Sequence, residues 1–99
     1  MMNIAEALNF DKAAPATYMV KRTDKMNIVA VGLLRDQMLQ KHKALIPTLL
    51  TVLKGSIEFH IGLDKIELTR FDTHEIPVNV EHEVLGLDHE NIFTLTQEK

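Results

Sequence analysis

The chain has 99 residues, which suits one domain spanning residues 1–99 and leaves little room for a second. Its 11 basic and 14 acidic residues give a net charge of -3, which excludes nucleic acid as the main partner, because phosphate binding needs a concentrated positive field. Cysteine is absent, which excludes disulfides and thiolate zinc sites.

The opening "MMNIAEALNFDK" lacks the basic region and long apolar core of a secretory leader. No apolar run approaches the roughly 20 residues of a membrane span. A cytoplasmic location without a membrane partner is the expectation. Asn3 followed by Glu6 predicts a capped, short helical turn through "IAEAL". "DKAAPA" reads as a connector closed by Pro15. Strand signals follow: "TYMVKR", a turn at "RTDK", then "MNIVAVGLL", whose continuous β-branched character predicts burial on both sides. The polar "RDQMLQKHK" reads as a connector. "TLLTVL" is a further buried strand, and Lys54-Gly55-Ser56 turns the chain.

"SIEFHIG" alternates, with Ile57, Phe59 and Ile61 facing inward and Ser56, Glu58 and His60 facing solvent. After a turn at "GLDK", "KIELTRF" alternates again around Ile66 and Leu68. "EIPVNVEHEVLGL" holds two short strands around a proline, and "NIFTLTQ" is the final strand. Seven or eight short strands with little helix predict an all-β antiparallel sandwich or barrel.

Two stretches resemble the paired motifs of the small single-domain cupins, G(X)5HXH(X)3-4E(X)6G and G(X)5PXG(X)2H(X)3N. The first falls on Asp36, His42, Ala44, Thr48 and Gly55, about residues 36–55; the second falls on Phe71, Pro77, Asn79, His82 and Gly86, about residues 71–86. His42, Gly55, Pro77 and His82 match, and the spacings fit without insertion. "FDTHEIPVNVEHEV" also resembles the "GDxxxIPxxxPH" run of many small cupins. The resemblance implies an antiparallel jelly-roll β-barrel of the RmlC-like kind. It also implies a metal held by two histidines and a glutamate of the first motif and a histidine of the second.

The departures shape the expectation for the site. Asn79 and Asp36 stand at turn glycines and tolerate positive φ, whereas Phe71 does so poorly, so a differently shaped turn is predicted there. Ala44 has no donor atom, and Thr48 offers a neutral hydroxyl in place of a carboxylate. Only His42 and His82 remain as metal ligands, enough for at most a weakly bound divalent ion and no tight cofactor. Three readings of this pair stay open: a degenerate metal site, a metal-free hydrogen-bonding pair in an apolar pocket, and inherited histidines without present chemistry. His60 is expected in solvent, His74 and His89 outside the ligand positions, and Glu81 and Glu83 on the surface.

These residues favour a binding module over an enzyme. The expected ligand is small and mostly apolar, lined by His42, Thr48, Leu50, Val52, His82 and Val84. A metal-dependent oxygenase or isomerase using His42 and His82 is the alternative, and a non-catalytic scaffold the second. Small size and the apolar "MNIVAVGLL" also point to a homodimer.

Overall fold

The computed structural model describes the backbone of residues 1–99 and every side chain except those of Lys41 and His42. A helical turn, α1 (Ile4–Ala7), opens the chain, with the Asn3 side-chain oxygen accepting from the Glu6 N–H at 3.1 Å. The strands follow as β1 (Ala16–Arg22), β2 (Met26–Leu34), β3 (Met38–Lys43), β4 (Thr48–Lys54), β5 (Ser56–Ile61), β6 (Asp64–Thr69), β7 (Thr73–Ile76), β8 (Glu81–Gly86) and β9 (Glu90–Glu98). All pair antiparallel, in a five-stranded sheet ordered β1-β2-β9-β4-β7 and a four-stranded sheet ordered β3-β8-β5-β6. This is a jelly-roll arrangement of two facing sheets. No helix among the described residues is long and apolar enough to cross a membrane.

The inner faces supply the core. Val31 and Leu33 of β2, Leu50 and Val52 of β4, Ile57 and Phe59 of β5, Val84 of β8 and Phe93 of β9 are sealed from solvent. The clean alternation of "SIEFHI" puts Ile57 and Phe59 inside, as predicted. Strand β4 also alternates, burying Thr48, Leu50 and Val52 while Leu49 stays exposed, so it is covered on one face where the sequence suggested two. A smaller cluster lies on the outer face of the larger sheet. There Leu8 packs over Ala30 and Ile92. A Cβ on Gly32 would lie 3.0 Å from the Phe10 ring, so a side chain there would need the ring to shift slightly.

One predicted connector is a strand: "MLQKHK" forms β3 and pairs with β8. It lies at the edge of the smaller sheet, where polar residues are favoured and the apolar alternation that marks inner strands is weak.

Positive φ falls on Asp36 (68°), Gly55 (73°), Phe71 (74°) and Asn79 (66°), the four positions that the cupin motifs give to glycine, and also on Gly62. The expected change of turn shape at Phe71 does not occur. The β6–β7 turn is held instead by its hydrogen bonds. Phe71 N–H donates to Val52 O (2.7 Å), Val52 N–H donates to Asp72 O (3.0 Å), and the Asp72 carboxylate accepts from Thr69 N–H (2.8 Å). The Phe71 ring points outward, with the Arg70 guanidinium 4.9 Å from its centroid.

Asn91 closes the frame. It is fully buried, and both amide atoms are saturated. Its Oδ1 accepts from Ser56 N–H (3.0 Å) and Asp88 N–H (3.1 Å), while Nδ2 donates to Leu33 O and Asp88 O (3.0 Å each). It also fills the space over Gly86, where a Cβ would lie 2.8 Å from Nδ2 and 2.7 Å from Leu34 O. An asparagine at position 86, as in the motif, has no room here.

Two outcomes are expected in urea denaturation. Asn91→Ala leaves several buried groups unpaired and should cost about 3–5 kcal/mol, with Asn91→Asp also destabilising because a carboxylate would face two carbonyls. At position 71, Phe71→Gly should change stability by less than about 1 kcal/mol, since relief of the left-handed backbone offsets the lost ring contact. Phe71→Val should cost about 1–2 kcal/mol, because a β-branched residue fits positive φ worst.

Candidate functional site

The site builds on the inward faces of β4, β5, β7 and β8. His82 of β8 is only 3% exposed. Its Nδ1 lies 3.2 Å from Val80 O, a pure acceptor, so Nδ1 carries a proton. The imidazole stacks on Phe59, with centroids 5.5 Å apart and planes at 25°.

His74 joins them from the opposite sheet. It pairs with Leu50 in the β4–β7 register and so faces inward, with its ring centroid 4.9 Å from that of Phe59 at 56°. Phe59 thus carries one imidazole from each sheet. The motif spacing set His74 aside because it lies outside the ligand positions. The strand parity of "THEI", with Ile76 buried two residues on, is the signal that places it inside.

Thr48 is 5% exposed, and its hydroxyl donates to Ile46 O at 3.0 Å. Its proton is therefore committed, and what it can offer a ligand is an acceptor oxygen. Leu50 and Val52 follow Thr48 along β4, and Val84 follows His82 along β8. All three are buried in the core beside Phe59. Thr48 borders a cleft of about 520 Å³ shared with Leu49, Ile76 and Pro77. His82 borders a second cleft of about 300 Å³, with His60, Val80 and Glu83.

The backbone register sets His42 directly across from His82 on β3 and β8. The His42 side chain, named above as a ligand, lies outside the described residues. His60 departs from its expected solvated state: its side chain is 18% exposed and pairs with the Glu58 carboxylate at 2.6 Å.

The four-ligand metal centre that the motifs imply does not fit the donors at two of its positions. Ala44 presents a methyl group, and the Thr48 hydroxyl is neutral and bonded to a backbone carbonyl. Among the described residues, no group of three or more His, Asp or Glu side chains is placed to hold a metal ion. The described groups are a buried imidazole stacked on an aromatic ring and, on a separate cleft, a hydroxyl oxygen.

Solved structures match the whole architecture. KdgF from Halomonas sp. superposes with a TM-score of 0.85 at 16% identity, over 98% of this chain and 91% of that one. A conserved protein with a double-stranded β-helix domain from Klebsiella pneumoniae gives 0.88 at 18%, over 99% and 88%. An RmlC-like cupin from Methanocaldococcus jannaschii gives 0.79 at 16%, over 93% and 88%. No family model matches the sequence. No curated protein matches it either. The fold is the cupin double-stranded β-helix, as the motif spacing implied.

If Phe59 orients both imidazoles, Phe59→Leu should keep the fold at a cost of about 1–2 kcal/mol while altering the NMR signals of His74 and His82 together. Unchanged imidazole shifts would show that the rings are held by other contacts.

Proposed function

We propose that this cupin barrel is a small-molecule binding module and that its ligand is met by His82. The observation that carries this reading is a buried His82 stacked on Phe59 at the edge of a cleft of about 300 Å³, shared with His60, Val80 and Glu83. The ligand class it suits is a small, mostly apolar molecule bearing one polar group, an alcohol or amide for example. The loss of two family ligands, at Ala44 and Thr48, supports binding without a tight metal.

A metal-dependent enzyme of oxygenase or isomerase type is the competing reading. It is favoured by one observation, the register that pairs His42 with His82 across β3 and β8. A substrate would have to supply the remaining ligands.

Elemental analysis of tag-free protein separates the two. The binding reading expects metal well below one equivalent, even after incubation with iron, manganese, nickel or zinc; near-stoichiometric metal would put the enzyme first. In a thermal-shift screen of small alcohols and amides, a compound that raises the melting temperature should lose its effect in His82→Ala and keep it in Glu67→Ala. Equal shifts in both variants would remove His82 from the site.

A further inference from the structure

The outer face of the larger sheet carries a further cleft, of about 570 Å³, between the sheet and the N-terminal turn. Its floor is Leu53 of β4 and Ile92 of β9. They lie together because Lys54 pairs with Ile92 past a bulge at Leu53. Both belong to the small apolar cluster outside the barrel. Met2 and Ile4 supply the apolar part of the facing wall. None of the four residues of α1 is buried, so an apolar occupant would remove surface from water on both sides of the cleft.

The charge of this cleft runs against that of the molecule. The chain has a net charge of -3, and the clefts of about 520 and 300 Å³ each bring two carboxylates to their walls. Among the described residues, no carboxylate lines this one, and Lys54 and Arg70 do. The two cations are not equivalent. Lys54 is bridged to Glu90 at 2.9 Å. Arg70 has no carboxylate partner among the described residues. Its guanidinium lies over the Phe71 ring, which occupies one face and leaves the N–H edge for an acceptor. The hydrogen bonds among Phe71, Val52, Asp72 and Thr69 fix the turn that presents it. Asn3 adds a donor to the wall: its oxygen already accepts from Glu6 N–H, so its amide nitrogen is what it can offer.

We propose that this cleft binds a small carboxylic acid with an aliphatic tail, the carboxylate on Arg70 and the tail over Leu53, Ile92 and Ile4. A planar carboxylate matches the forked N–H edge of arginine with two parallel hydrogen bonds. A bare phosphate would use the cations and leave the apolar floor in water. An alcohol would use the floor and leave the guanidinium without a counter-charge. Only an acid with a tail uses both parts of the cleft. The site lies outside the barrel and is independent of the ligand reading for His82.

NMR titration of the full chain with sodium hexanoate, hexylammonium chloride and 1-hexanol tests the proposal. Hexanoate should shift the methyl signals of Ile4, Leu53 and Ile92 saturably, and should bind about tenfold more tightly than hexylammonium. Arg70→Gln, at an exposed turn position, should weaken hexanoate about 5- to 20-fold while leaving 1-hexanol within about twofold. Arg70→Lys should recover only part of the loss, because an ammonium cannot make the paired contact. Ile4→Ala should weaken hexanoate and 1-hexanol alike, with an unchanged circular dichroism spectrum. The proposal is overturned if hexanoate leaves the three methyls unmoved, if hexylammonium binds as tightly, or if Arg70→Gln binds hexanoate like the wild type. Hexanoate shifts confined to Leu50, Val52 and Val84 would put the acid in the barrel and overturn it as well, leaving the barrel reading intact.

Discussion

The barrel depends on one buried side-chain amide. Asn91 lies where the start of β9, the end of β2, the start of β5 and the β8–β9 loop converge, and it hydrogen-bonds to three of these segments outside its own strand. Each contact replaces a backbone partner that the sheet ladders cannot supply at that corner. The two flanking glycines follow from it. Gly55 combines a positive φ with a position where a Cβ would strike Asn91 Oδ1 and come within 2.6 Å of Glu90 O. Gly86 leaves the space that the Asn91 amide fills. The two sheets are thus joined through a polar group as well as by the apolar core between them.

Much of the frame was legible because strand parity and turn spacing survive substitution. The alternation in β5 and β6, the break at Pro77 and the spacing of the two motifs all located elements correctly. Phe71 shows where letter-by-letter reading fails. An aromatic residue disfavours left-handed backbone, but two hydrogen bonds to Val52 and the Asp72 carboxylate over-determine the turn. β3 was hidden for a different reason. Its polar residues look like a connector, and only its partner β8 makes it a strand.

The site was legible only in part. The position of His82 followed from the motif spacing, and its burial is consistent with an inward-facing strand residue. Phe59, on which His82 stacks, read as an inward-facing strand residue, and His74 stood outside the ligand positions. What brings them together is a meeting of opposite sheets, and no local pattern along one strand encodes which rings will touch across a barrel. The same limit applies to Asn91: nothing in "DHENIF" distinguishes a saturated buried amide from a surface one.

The position of β9 has a consequence for how the protein is made. It is the last strand in the chain, but it sits third of five in its sheet, with β2 on one side and β4 on the other. During synthesis β2 and β4 therefore emerge from the ribosome without the neighbour that will separate them, and their apolar faces must wait. Closure waits for β9 and couples β2 with a segment about sixty residues away, a slow kind of pairing. In the interval the exposed edges of β2 and β4 are open to mispairing, with each other or with another nascent chain.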